Sequence, residues 1–212
     1  MSGNRESAHK ASIFYLFIKR AFDIVSSAIG IIFLIPITII VGLAIKIEDG
    51  GPIFFCQERV TKNGKLFKLI KFRSMVINAE ALRDSLEKDN EMDGPVFKIK
   101  NDKRITRVGH FIRKTSIDEL PQLFNIFLGD MSVVGPRPAL PREVAQYDAK
   151  AKRRLEVKAG LTCIWQVQKN RNAITFDEWM AMDSEYVDNQ SILLDLKLIF
   201  KTIGAVFTAQ GE

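Results

Sequence analysis

Between Ile24 and Ile45 the chain runs for 22 residues without a charge. As a straight helix that run is about 33 Å long, and the hydrocarbon core of a bilayer is about 30 Å thick. An uncharged stretch of this length predicts a membrane-inserted segment rather than the core helix of a soluble domain. It is too long for a secretory signal and lacks a small-residue cleavage pattern. Pro36 sits in its middle. Proline removes a backbone donor, and its ring presses on the carbonyl one turn back, so a kink is expected there. Two geometries compete: a bent helix that crosses, and a helix-break-helix that returns to the leaflet it entered. Lys19 and Arg20 precede the run and Lys46 follows it. Basic residues at both ends fit the same-side hairpin better. The chain then divides into a flexible polar N-terminus (1–11), a membrane-inserted segment (12–48) and a remainder (49–212) long enough to bury a core.

Past the Gly50-Gly51-Pro52 turn, residues 53–60 and 66–72 read as two strands joined around Asn63-Gly64, a strong hairpin signal. Residues 78–88 read as a polar helix and 89–95 as a loop. Residues 143–157 predict a basic helix with Lys150, Lys152, Arg153 and Arg154, either solvated or facing lipid headgroups, ended by Gly160. Thr175 and Glu178 form a capping box that opens a helix through Tyr186. Ile192, Leu196, Ile199, Ile203 and Val206 make a stripe at 3–4 spacing, with Lys197 and Lys201 off it. That last helix either packs on the core or lies along a membrane.

The stretch from Arg104 to Pro138 concentrates chemistry: RITRVGHFIRKTSIDELPQLFNIFLGDMSVVGPRP. Asp118 and Glu119 form an adjacent carboxylate pair. Arg113 precedes them, and the rigid Pro136-Arg137-Pro138 element follows. Acids that bind a metal or attack phosphorus, set among arginines that hold phosphate, are what phosphoryl transfer needs. Local chemistry offers a plainer alternative. Ser116 and Glu119 have capping-box spacing, although Pro121 then falls deep enough to lose a helical bond. Asp118 as N-cap places Pro121 where no such bond is expected, and Gly129 closes the helix in either case.

Composition narrows the classes. Lys and Arg number 31 against 25 Asp and Glu, a net charge of +6, which suits phosphates, acidic lipids or nucleic acid. Cys56 and Cys163 stand far apart, with no CxxC and no neighbouring His. That argues against zinc and fits a reducing compartment. His110 has no second histidine near it in sequence and suggests no histidine triad. No P-loop or GxGxxG is present to hold a nucleotide another way.

Five segments resemble the bacterial sugar transferase family, the monotopic polyprenyl-phosphate phosphoglycosyltransferases. They are KRAFDI (19–24), GPIFFCQERV (51–60), KLFKLIKFRSM (65–75), the 104–138 block and SILLDLKLIF (191–200). They stand in the family's order and cover most of the chain from about residue 15, which is the family's catalytic core. The resemblance implies transfer of a sugar-1-phosphate from a UDP-sugar to polyprenyl phosphate, undecaprenyl phosphate being the expected acceptor, with release of UMP. It implies Asp118 as nucleophile, Glu119 assisting with Mg²⁺ or protons, and both acids as metal ligands. Lys71, Arg73, Arg113 and Arg137 become phosphate- or substrate-binding candidates. The expected location is the cytoplasmic face of the bacterial inner membrane, in contact with lipid, without nucleic acid and with a second copy of the chain as a candidate partner. The expected fold is helix-dominated α+β: an N-terminal re-entrant membrane helix hairpin, a small β-hairpin, and amphipathic interfacial helices around a cytoplasmic active site. The loop at 89–95 would be a mobile insertion near substrate.

The chain departs from the family at three places. Ile35-Pro36 stands where many members have Ser-Pro at the break, with Thr38 as a substitute hydroxyl. Cys163 replaces a common glycine in GLTCIWQV (160–167). QKNRN (168–172) carries one inserted residue, which weakens a role for Arg171. Asp183 and Tyr186 match the family's D-x-x-Y and are either site-lining or ordinary helix-surface residues. The rival reading is a non-catalytic, membrane-anchored basic module that binds lipid or nucleic acid. Such a module has no use for Asp118-Glu119 set between Arg113 and Pro-Arg-Pro.

Overall fold

A computed structural model describes residues 11–99, 101–169 and 173–207. Arg171 and most of the polar N-terminus lie outside the described residues, as does the side chain of Val206.

The uncharged run forms one helix, α1 (Ile13–Asp49), capped by Ser12 and ended by Gly50, whose φ of 72° suits glycine. It is the one helix among the described residues that is long and apolar enough to cross a membrane. Pro36 lies inside it and does not end it. The expected helix-break-helix is therefore not found as two separate helices. A single proline removes one hydrogen bond of the ladder, and the turns on either side are held by packing. That packing runs along the whole helix. Tyr15 and Lys19 bond Asp195 near the start, and Asp23 accepts from Ser132 and the Val133 N–H. Leu34, Val41 and Ile45 join the core with Phe72 and Ile112. At the far end Asp49 pairs with Arg73, and Glu48 accepts from the Arg107 and Val108 N–H groups. The rest of the helix surface is exposed and apolar, including Ile32, Phe33, Ile39, Ile40 and Leu43.

The hairpin is as expected. β1 (Phe54–Val60) pairs antiparallel with β2 (Leu66–Phe72), placing Phe54 opposite Phe72 and Phe55 opposite Lys71. Asn63 and Gly64 both take positive φ in the turn. The polar helix expected at 78–88 is instead a run of turns ending in a 3-10 segment, Asp84–Asp89. Its sequence offers too few apolar positions to build a packed face.

The central block folds as α2 (Arg107–Lys114), a 3-10 turn at Ile117–Glu119, and α3 (Gln122–Leu128). Neither capping expectation holds. Ser116 adopts φ 56° and makes no capping bond, and Pro121 is itself the N-cap of α3. The left-handed Ser116 turns the chain between α2 and the 3-10 segment, so the two carboxylates stand in the connection rather than on a helix start. Asn125 of α3 bonds both Lys68 O and the Ile70 N–H, which fastens α3 to the edge of β2.

Two short strands follow that periodicity did not reveal: β3 (Ser132–Val134) runs parallel to β4 (Gly160–Thr162). Gly160 thus starts a strand instead of closing a helix. The expected basic helix breaks into α4 (Pro141–Val144), α5 (Ala149–Lys152) and a 3-10 turn at Arg153–Glu156, because Asp148 caps a new helix at the Ala151 N–H. Arg154 points inward, away from water and lipid, and pairs with the buried Asp183 at 2.9 Å. α6 (Phe176–Asn189) opens on the expected Thr175–Glu178 capping box. In α7 (Ile192–Phe207) the core side is Leu194, Leu198 and Ile199, whereas Ile192, Leu196 and Ile203 of the expected stripe are exposed. α7 is apolar on two faces, and of the expected stripe only Ile199 reaches the core among the described side chains.

Candidate active site

Asp118 and Glu119 line a cavity of about 190 Å³, together with Lys71, Arg113, Arg137, Ser116 and Gln166. Each comes from a different piece of backbone. Lys71 lies at the end of β2, where its ammonium sits 5.4 Å from the Phe55 ring centroid across the hairpin. Arg113 is in the last turn of α2. The carboxylates are on the 3-10 turn, and Gln166 is on another, Trp165–Val167. Met92 of the 89–95 loop, with Val96, Phe97 and Lys98 just after it, supplies a further wall.

Arg137 is held by the two parallel strands. The Gly135 N–H donates to Thr162 O and the Gly160 N–H to Pro136 O. The strands approach so closely that a Cβ on Gly160 would meet the Gly135 nitrogen at 2.1 Å. From the core side, Arg154 donates to Arg137 O at 2.8 Å.

The two acids differ in their bonding. Glu119 accepts from Arg137 at 3.3 Å on one oxygen and from Gln166 at 3.3 Å on the other. Asp118 has no hydrogen bond or ion pair among the described residues. Burial, and then the neighbouring Glu119, push the Asp118 carboxyl up to about 6, against the pull of Lys71, Arg113 and Arg137. Burial, and then Arg59, push the Lys71 ammonium down to about 8. A half-desolvated carboxylate facing cations that lack full partners can meet an anionic phosphorus centre without first breaking its own bonds.

A second cavity of about 260 Å³ adjoins the first and shares Lys71, Arg113 and Arg137 with it. Arg73 lines this neighbour and not the carboxylate cavity, and its guanidinium pairs with Asp49. Pro36, inside α1, lines neither cavity. Asp183 and Tyr186 line neither cavity. Asp183 is 1% exposed and holds Arg154, and Tyr186 donates to Asp195.

Sequence reasoning missed three residues. Gln166 lay in a recognised segment with no role attached. Arg59 lines the second cavity and donates to Pro138 O, with burial and Arg137 lowering its pKa to about 10. Its position two residues from Gln57 on an alternating strand was the available signal, since alternation puts Phe55, Gln57 and Arg59 on one face. Arg154 looked like one cation in a basic run, and nothing local separates it from Arg153.

The profile of the bacterial sugar transferase family matches residues 14–209. The chain is 45% identical over 202 residues to the undecaprenyl-phosphate galactose phosphotransferase of Salmonella typhimurium, covering 92% of this chain and 41% of that protein. It is 43% identical over 197 residues to the galactosyl transferase CpsE of Streptococcus agalactiae, covering 93% of this chain and 44% of that protein. It is 41% identical over 198 residues to the exopolysaccharide production protein ExoY of Sinorhizobium fredii, covering 92% of this chain and 87% of that protein. The chain therefore spans less than half the length of the first two relatives and most of the third.

Proposed function

Because the chain belongs to the bacterial sugar transferase family, we propose that it moves a sugar-1-phosphate from a UDP-sugar to polyprenyl phosphate and releases UMP. The observation that carries this reading is the carboxylate pair. Neither acid is spent on capping a helix, and the cavity they line is otherwise charged by Lys71, Lys98, Arg113 and Arg137. A non-catalytic lipid-binding module would leave that pair without a task.

The reaction is a double displacement. An Asp118 oxygen forms a bond to the sugar-bearing phosphorus, and the bond from that phosphorus to the bridging oxygen breaks. UMP departs with the electron pair. A phosphate oxygen of the polyprenyl phosphate then attacks the same phosphorus, the aspartyl–phosphorus bond breaks, and the Asp118 carboxylate is restored. Lys71, Arg113 and Arg137 hold the phosphates and offset their charge. Glu119, fixed by Arg137 and Gln166, stays oriented beside the nucleophile.

Mg²⁺ fits the residues present. Among the described residues no group of three or more His, Cys, Asp or Glu side chains forms a protein-only metal cage. Mg²⁺ does not need one, since it takes one or two carboxylates and completes its shell with water and substrate phosphate. Asp118 and Glu119 would hold it, and when bound it would neutralise diphosphate charge.

α1 enters and leaves the membrane on one side, the cytoplasmic face of the bacterial inner membrane. Support comes from its two ends, since Lys19 and Asp49 are both tied to the same folded body through Asp195 and Arg73. A straight crossing would carry those anchors to opposite sides of the bilayer. Exposed Phe111, Leu128, Leu193 and Phe200 extend the apolar surface beyond α1 and suit insertion of the helices around it into the interface.

The experiment is a panel of UDP-sugars with detergent-solubilised protein, Mg²⁺ and undecaprenyl phosphate. UMP release with one donor is expected. No release with any donor would overturn the reading.

A further inference from the structure

A carboxylate that must assist a neighbour without competing with it has to be held still. Both oxygens of Glu119 are engaged, one by Arg137 and one by the Gln166 amide, each at 3.3 Å. Glu119 and Gln166 line the main cavity and also a smaller one behind it, whereas Asp118 lines only the main one. Gln166 therefore backs Glu119 and not Asp118.

A carboxamide has two ends of nearly the same shape, and its partners decide which end faces which way. The Cys163 thiol donates to Gln166 Oε1 at 3.7 Å. Cys163 is buried, and burial pushes its thiol up to about 12, so it keeps its proton at any ordinary working pH. With the amide oxygen facing a permanent S–H, the NH₂ end faces Glu119. The reversed amide would set an oxygen against a carboxylate. The turn that carries Gln166 is itself fixed, because Trp165 stacks on Trp179 with centroids 4.3 Å apart.

We propose that Gln166 is a positioning residue for the carboxylate pair: its amide, oriented by the Cys163 thiol, holds Glu119 against Arg137 and leaves Asp118 as the unbonded acid. The catalytic part of this rests on the transferase reading above; the clamp itself does not.

Two measurements separate them. The first is kcat and KM for the UDP-sugar, by UMP release, in Gln166→Ala, Gln166→Glu, Cys163→Ala and Cys163→Ser, with the melting temperature of each. Gln166→Ala should lower kcat on the order of tenfold, as expected for one hydrogen bond to a charged group, with donor KM within about twofold. Gln166→Glu should be slower still, because it turns a second carboxylate toward Glu119. Cys163→Ala should lose about threefold in kcat and Cys163→Ser should recover most of it, since the hydroxyl restores a donor. Wild-type kcat in Gln166→Ala overturns the proposal. So does a rise in KM alone, which would make Gln166 a substrate contact, or a Cys163→Ser variant as slow as Cys163→Ala.

The second measurement needs no turnover: the side-chain amide resonances of Gln166 by nitrogen-15 NMR, identified by their loss in Gln166→Ala. They should shift in Glu119→Gln and in Cys163→Ala, and return toward wild type in Cys163→Ser. Resonances indifferent to Glu119 and Cys163 overturn the clamp. A responsive amide in a protein that releases no UMP upholds the clamp and condemns the functional reading instead.

Discussion

Arg154 donates to the main-chain carbonyl of Arg137 at 2.8 Å while itself only 4% exposed. An arginine that faces the carboxylate cavity is thus held in place by an arginine that faces the core. The inner one is balanced by Asp183 at 2.9 Å and also donates to the Tyr147 hydroxyl.

Arg154→Ala would strand the Asp183 charge in the core. Breaking a buried pair in this way costs about 3–5 kcal/mol, so the variant should melt well below wild type at pH 7.5. Burial raises the Asp183 carboxyl to about 6, and loss of its cation would raise it further. The deficit should therefore shrink at pH 5, where Asp183 takes up a proton. An equal deficit at both pH values, by thermal denaturation, would contradict the assignment of the cost to the unpaired charge.

Asp118→Asn should abolish turnover and yet stabilise the protein at neutral pH. The folded carboxyl titrates near 6 and its ordinary value is 3.8, so between these values the native state holds more protons than the unfolded chain. Stability then falls as pH rises through that window. Asparagine removes the buried charge and should raise the melting temperature at pH 7.5 while changing little at pH 4. A lower melting temperature at pH 7.5 would refute the electrostatic description of the site.

With UDP-sugar and Mg²⁺ but no polyprenyl phosphate, wild type should release about one UMP per active site and gain the mass of one sugar phosphate. Intact-protein mass spectrometry should find no such adduct on Asp118→Asn. An adduct that survives this substitution would move the nucleophile elsewhere, with Glu119 next.

The donor half-reaction should follow a bell in pH. Its acid limb, near 6, reports ionisation of Asp118, and the rate rises with pH through it. Its basic limb, near 8, reports loss of charge from Lys71. Lys71→Arg should carry the basic limb upward, as read from kcat/KM against pH.

In a background lacking the exposed Cys56, single cysteines at positions 10 and 62 should both resist an impermeant thiol reagent in intact cells; the buried Cys163 can stay. The same pattern should persist in Pro36→Ala, because the anchors at Asp195 and Arg73 hold both ends of α1 with or without the proline. Labelling at one position alone would establish a crossing helix.

What the sequence determined by itself were features encoded over short spans. An uncharged run long enough for a bilayer, an Asn-Gly turn between alternating strands, and a Thr-x-x-Glu start to α6 each carry their cause within a few residues; the run became one long helix, and the turn and the helix start formed as expected. The adjacency of Asp118 and Glu119 was legible in the same way, and so was the proximity of Arg113. Other outcomes were decided only by tertiary structure, because their causes lie far along the chain. Pro36 removes a donor from the local ladder, yet α1 continues because its flanks are gripped from residue 15 to residue 49 by partners more than a hundred residues away at one end. Ile192, Leu196 and Ile203 of the α7 stripe pointed outward while Ile199 met the core, because a helix apolar on two faces has its buried side chosen by the shape of its neighbours. Local patterns gave Ser116 and Glu119 a capping box, but a left-handed turn at Ser116 set both acids free of it. Which acid stays unbonded depends on Arg137, Gln166 and Arg154, spread over 17 to 47 residues of chain from the groups they hold. No local pattern reports such pairings, since a hydrogen bond across the fold leaves no periodicity in the sequence that makes it.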